Sequence, residues 1–451
     1  MEVPMRNLYP STMDKYLTQA DKVVLQNLAR EPLCQAASTI SESNTSSTTV
    51  PNVTADEKNA LPASNDNPDI ECIRALNDEM SPDFQPTVFT TWDEKDLPPA
   101  LRNYLIKPYV RFARHVVRRP TDVVFLTHIL TYLAVSVPSA CWLFYHFTWY
   151  HGICHLVWTG YCCGPFTLML HNHIHNNGVL SKKFALVDRA FPYILEPLMG
   201  HTWDSYYYHH VKHHHVEGNG PDDLSSTVRY QRDELVDFLH YVGRFMLFVW
   251  VELPLYFIRK RKYKLALKSG ITELFNYACI YMLATRVDFR ATLFAVILPL
   301  ILMRIGMMVG NWGQHALVDE VEPDSDFRSS ITLVDVASNR FCFNDGYHTA
   351  HHLNPRRHWR DQPLHFLQAK EQYRDGRALV FQNIDYIMMT VKLIQKDYMH
   401  LAGCLVPIGE QVHMSKKEIA EMLRTKTKKF SEEDIAKKFG KPVVCAVDEK
   451  E

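Results

Sequence analysis

The chain carries almost no net charge: 49 Lys and Arg stand against 50 Asp and Glu, a balance of −1 over 451 residues. A general nucleic-acid binder carries a basic excess, so no nucleic-acid partner is expected. The ten cysteines, at 34, 72, 141, 154, 162, 163, 279, 342, 404 and 445, lack any paired zinc-ribbon spacing. Several sit in apolar runs and read as small buried thiols in a reducing compartment. The first residues lack a basic n-region, an apolar h-region and a cleavage site, so no signal peptide is expected. Asn44 and Asn52 head glycosylation sequons but fall on the cytosolic side of the topology argued below, so they should stay unmodified. No internal repeat is present. A mean hydropathy of −0.20 excludes a chain made mostly of membrane spans. A hydrophobic content of 47% equally excludes a mostly disordered one.

Residues 1–35 are mixed in charge and weakly helical in pattern. Residues 36–70, rich in Ser, Thr, Asn and Pro, bury too little to offset ordering entropy. Order is therefore expected to begin near Phe89 or Trp92. This gives a tail over 1–88, a membrane-embedded domain over 89–375 and a cytosolic helical region over 376–451. Within the last, 414–439 alternates cations and anions at helical spacing and reads as a solvated helix.

Val123–Tyr145 has no charged residue and is long enough to cross about 30 Å of hydrocarbon. His151–Leu170 is a second such run, joined to the first through the interfacial Trp149 and Tyr150. The two read as a helical hairpin whose ends, Arg119 and Lys182–Lys183, lie on the cytosolic side. Three more apolar stretches follow: Phe238–Ile258, Ile271–Ala284 and Ala291–Gly310. If all three crossed, Arg259, Lys260, Arg261, Lys262, Lys264 and Lys268 would be luminal, against the positive-inside tendency. Phe238–Ile258, which contains Arg244, Glu252 and Pro254, is therefore expected to lie in the interface. The other two form a second hairpin. Arg304, inside the last run, either holds a substrate headgroup, pairs with an acidic side chain, or snorkels to the surface.

The 23 histidines carry the functional signal. His171 and His175 are spaced i, i+4, which puts both imidazoles on one face of a helix end. His209, His210, His213, His214 and His215 form a second cluster. His315 follows Asn311 by four residues, and His348, His351 and His352 form the last. In the two-hairpin topology all four clusters emerge on the cytosolic side. One pair, two triplets and one single histidine make nine, a number suited to two metals with open positions. Imidazole alone suits several metals. With no cysteine beside the clusters, a dinuclear iron site fits best.

These clusters resemble the membrane fatty-acid desaturase/hydroxylase superfamily, with its three boxes H-x3-4-H, H-x2-3-HH and H-x2-HH. His171–His175 matches the first and His348–His352 the third, with Asn344-Asp-Gly-Tyr before it and Leu-Asn-Pro after it. In the second, His210, His213 and His214 satisfy one form of the box, and His210, His214 and His215 the other. The family also has a ligand histidine after its last span, with a water-holding Asn four residues earlier. His315 and Asn311 fit those places. The resemblance covers about residues 90–375. It implies that the metal ligands come from His171, His175, His210, His213, His214, His215, His315, His348, His351 and His352, with Asn311 holding metal-bound water. His173, His209 and His358 would be outer residues, and His201 either the same or exposed.

The expected fold is all-α: a polytopic membrane protein with two transmembrane hairpins and a cytosolic helical cap carrying the metal site. The resemblance implies an O2-dependent desaturase of a fatty-acyl or similar lipid-like chain, using two iron ions, in the endoplasmic reticulum. A hydroxylase, acetylenase or ketolase would use the same boxes, and a metal transporter is the non-enzymatic alternative. No His-Pro-Gly-Gly motif marks a fused cytochrome b5 domain. Electrons are therefore expected from a separate donor, such as cytochrome b5 and its reductase. The basic stretch Arg259–Lys268 would either dock such a carrier or face lipid headgroups.

Overall fold

The computed structural model describes residues 17–42, 67–90 and 92–440. Much of the expected disordered tail, 43–66, lies outside these residues. The fold is mostly helical, with four short strands among the described residues. Four helices are long and apolar enough to cross a membrane: Val123–Tyr145, Trp149–Asn176, Leu235–Arg259 and Phe289–His315.

Two of these helices carry a wide turn just ahead of a proline. The turns cover Tyr132–Ser136, before Pro138, and Leu293–Ile297, before Pro299. Proline supplies no N–H to the helical ladder, and widening the preceding turn absorbs the mismatch without ending the helix.

Leu235–Arg259 qualifies as a span by composition, although it was expected to lie in the interface. Near its start, the Phe238 and Tyr241 rings lie 5.4 and 4.9 Å from that of Trp312. In its middle, Phe245 meets His209 at 5.0 Å, and toward its end Tyr256 meets His213 at 4.4 Å. Both ends and the middle thus pack against the end of Phe289–His315 and the second histidine cluster. The helix then folds back on Tyr263–Arg286, with Trp250 against Tyr277 and Pro254 beside Gly270. Tyr263–Arg286 is absent from the span-like set, and Lys264, Lys268 and Glu273 lie within it. Arg304 finds an acidic side chain: it pairs with Glu273 and donates to the Tyr277 hydroxyl at 2.8 Å.

The segment before Phe89, expected to be disordered or weakly structured, supplies two packed helices, Gln19–Glu42 and Pro68–Asn77. Leu17, Val24, Leu25 and Leu28 bury with Ile70 and Ile73 against Tyr347, Phe366 and Leu367. Asp21, fully buried, accepts from the Tyr347 hydroxyl at 2.7 Å. Burial of these side chains, each worth roughly 1.5–3 kcal/mol, offsets the low helix content of the sequence around them.

Two glycines set how closely neighbouring segments approach His315 and His348. A Cβ on Gly346 would stand 2.2 Å from Asn339 Oδ1, and one on Gly313 would stand 2.4 Å from the Tyr386 carbonyl. Only hydrogen fits either place, so His315 and His348 are drawn in beside the neighbouring backbone. The parallel strands Ile331–Leu333 and Leu379–Phe381 lie fully buried just behind.

One buried cation ties three stretches of the chain together. The Arg232 guanidinium donates to the carbonyls of Thr227, Val228, Tyr230, Ala316, Lys426 and Lys428. It links the loop after the second histidine cluster to the end of Phe289–His315 and to the C-terminal region. Arg232→Leu would strand these carbonyls, and we expect a loss of at least about 3 kcal/mol. Thermal unfolding in detergent measures it; an unchanged midpoint would contradict this role.

Candidate metal centre

Each candidate histidine sits where a helix ends or changes pitch. His171 and His175 occupy the last two turns of Trp149–Asn176, which stops at Asn177 in the left-handed conformation. His315 closes Phe289–His315, and His348–Leu353 is a short helix carrying the last three. The second cluster is built differently. Tyr207–His214 is a π-helix, and the His215 N–H closes it by donating to the His210 carbonyl five residues back. At that pitch residues five apart share a face, so His210 and His215 point together and His213 is carried to the other side. Ordinary helical spacing would have favoured His210, His213 and His214.

Five histidines, 171, 175, 210, 215 and 351, bring their ring nitrogens within 4.8 Å of one another. His171 Nε2 stands 2.9 Å from His210 Nε2 and 3.1 Å from His351 Nε2. His215 Nε2 stands 3.1 Å from His210 Nε2 and 2.8 Å from His351 Nε2. The four nitrogens close a ring of nearly equal sides. Ligands each about 2.1 Å from one ion and at right angles would stand about 3.0 Å apart. His175 Nε2 is buried and has no hydrogen-bond partner. Ring nitrogens facing one another at this spacing, and a fifth with no partner, are what a bound cation would satisfy.

His214, His315 and His352 form a second group within the same limit. His348 joins it, with Nε2 2.9 Å from His315 Nε2. His352 Nε2 is likewise buried without a partner. Nine of the ten expected histidines therefore meet at two neighbouring points. The tenth, His213, lies apart with His209 and Asp223. Its Nε2 accepts from the Leu224 N–H at 3.1 Å, which commits that nitrogen to the backbone.

Burial, and then the neighbouring imidazoles, holds His210, His215, His348 and His351 well below the usual imidazole range. They are neutral at physiological pH, the form that binds metal.

Carboxylates behind the rings were not read from the sequence. His214 Nδ1 donates to Asp223 Oδ2 at 2.7 Å, which leaves its Nε2 free to face the group. Asp223 also accepts from the Asn219 and Ser225 N–H groups and the Ser225 hydroxyl. The neighbouring His214 holds its carboxyl far below the usual range against the opposing effect of burial. His352 Nδ1 lies 3.4 Å from Asp326. Such partners fix ring orientation. The signal available was the Asp222-Asp223 pair in a Gly-, Asn- and Pro-containing loop just after the second box.

The outer histidines are held away from both groups. His173 Nε2 lies 2.9 Å from the Asp188 carbonyl, and His201 Nε2 lies 2.8 Å from the Thr167 hydroxyl. His358 lies 2.9 Å from both Asp122 oxygens. Asn311 donates through Nδ2 to the Ser225 carbonyl at 2.9 Å and to the Tyr241 hydroxyl at 2.7 Å.

A cavity of about 740 Å³ ends at the histidines. Gly160, Gly164 and Thr167 line one wall, and Met303, Gly306 and Gly310 the other. Added Cβ atoms on Gly306 and Gly310 would meet nothing within 4 Å, so these glycines hold the space open.

The chain matches the fatty acid desaturase family over residues 147–383 and belongs to that family. No curated protein and no solved structure matches it. The family implies an oxidoreductase that acts on lipid and binds to membranes.

Asp223→Asn turns one acceptor oxygen into a donor among groups that already donate. We expect a stability loss of about 2–3 kcal/mol, read as a lowered unfolding midpoint. A wild-type midpoint would contradict the anchoring role of this carboxylate.

Proposed function

We propose that the protein is an O2-dependent, di-iron desaturase of a fatty-acyl or similar lipid-like chain. The observation that carries this reading is the ring of imidazole nitrogens at the end of a long, largely apolar cavity. When bound, two irons supply the oxidising power by which O2, two external electrons and two protons remove two hydrogens from adjacent carbons and yield two waters. The chain's own residues do the rest. The walls around Gly160, Gly164, Gly306 and Gly310 align an extended acyl chain and exclude water. Its volume lies within the range of pockets that enclose a small-molecule ligand.

In this reading His171, His175, His210, His215 and His351 hold one iron. His214, His315, His348 and His352 hold the other, and open positions remain for O2. His213 braces the loop that carries Asp223. Asn311 orients water through Oδ1, since its nitrogen is committed to Ser225 and Tyr241. Electrons come from a separate donor such as cytochrome b5 and its reductase. The chain crosses the endoplasmic reticulum membrane as two hairpins with the histidines facing the cytosol. The position of Lys260, bonded to Asp222 at 3.0 Å in the loop behind His214, supports this orientation. It sets the basic Arg259–Lys268 segment on the histidine side, as the positive-inside tendency requires.

The functional test is lipid profiling of cells expressing the wild type or His351→Ala. A product lacking two hydrogens, absent from the variant, is expected. A product gaining an oxygen would replace the desaturase reading with a hydroxylase, and no difference would overturn both.

Two comparisons test the ligand set. Purified wild type should carry two irons per chain. His215→Ala should lose iron and turnover, whereas His213→Ala should keep both irons at a lower unfolding midpoint. The reverse pattern by elemental analysis would exchange the two roles. Separately, Asn311→Ala should keep its iron and lose most turnover. Wild-type turnover would remove Asn311 from the site.

A further inference from the structure

The histidine groups are reached from two sides of very different chemistry. One side is the acyl cavity. The other is a hollow of about 280 Å³ whose lining includes His215 and His352. Glu217, Asp324 and Asp326 also line it, and no Lys or Arg does so among the described residues. Glu217 is already bonded to Lys260 and to the Tyr256 hydroxyl. Asp324 is exposed at the hollow, and Asp326, its side chain 39% exposed, stands 3.4 Å from His352 Nδ1. The other nitrogen of that ring, Nε2, is buried and has no partner. The His352 side chain is 4% exposed. Two solvent-accessible carboxylates thus border a buried imidazole of the second histidine group.

We propose that this hollow is the loading port through which divalent iron reaches the histidines. The proposal rests on the di-metal reading above. A hydrated dication is strongly disfavoured in the apolar cavity, where its water shell would be lost without replacement. In the hollow, carboxylate oxygens replace that shell stepwise, and their charge raises the local cation concentration. Imidazole then takes over from carboxylate, the better match for a first-row transition metal. Asp324 acts on the rate of loading and has no part in the loaded site. The hollow and the acyl cavity divide the work, so substrate in the cavity leaves the metal path open.

The test follows uptake of Co2+ added to chelator-stripped, full-length protein in detergent, read by the visible absorption of bound cobalt. Asp324→Asn should slow uptake at least about threefold, and Asp324→Lys by tenfold or more. Raising the ionic strength should slow the wild type toward the variants. Final stoichiometry, and turnover after complete iron loading, should match the wild type in both. Uptake at the wild-type rate in Asp324→Lys would overturn the proposal. So would slowing by Gly306→Phe, which fills the acyl cavity, with no effect of Asp324→Lys. A raised requirement for the electron donor, with unchanged uptake, would make the hollow a docking face instead. Failure of the wild type to bind cobalt stoichiometrically would strike the di-metal reading itself, whereas normal stoichiometry with an indifferent rate strikes only the port.

Discussion

Everything in this fold answers to one constraint: nine imidazoles converge on two neighbouring points inside the protein. Neutral nitrogens about 3 Å apart gain little from each other, and protonation would make them repel. The arrangement therefore needs dry surroundings that keep the rings uncharged and a rigid frame that keeps them converged. Burial supplies the first, holding His210, His215, His348 and His351 far below the usual imidazole range. The frame is assembled from helix ends, since a helix terminus can project a ring without exposing a long stretch of backbone.

The frame is held from behind by charges and amides placed far away in sequence. Asp223 gathers His214 and three further donors, and Arg232 gathers six carbonyls from three regions. Gly313 and Gly346 let backbone approach backbone where a side chain would force the helices apart. The Arg304–Glu273 pair applies the same logic lower in the molecule, where an unpaired charge between apolar helices would be costly. The result is a site whose apolar side meets a long cavity and whose acidic side meets solvent.

Much of this was legible in the order of residues. Charge-free runs announced the first two long helices, and the spacings of His171–His175 and His348–His352 announced convergent rings. Spacing left the second cluster open between two forms of the box, because it does not say which kind of helix carries it. The π-helix of Tyr207–His214 adds a residue to the turn, which pairs His210 with His215 and turns His213 away. Composition also could not place Leu235–Arg259, which is apolar enough to cross a membrane yet packs along its length on Trp312, His209 and His213. The helix at Gln19–Glu42 was hidden for a different reason. Its stability comes from Leu17, Val24, Leu25 and Leu28 packing on residues more than three hundred positions away, and local sequence carries no trace of that partner.

Iron K-edge X-ray absorption on the purified, full-length protein tests the central claim most directly, because it reads the atoms around the metal. The account predicts iron surrounded by nitrogen and oxygen, with imidazole scattering from about four to five rings per iron and distances near 2.1 Å. A sulfur shell, or iron with only one or two imidazoles, would contradict it.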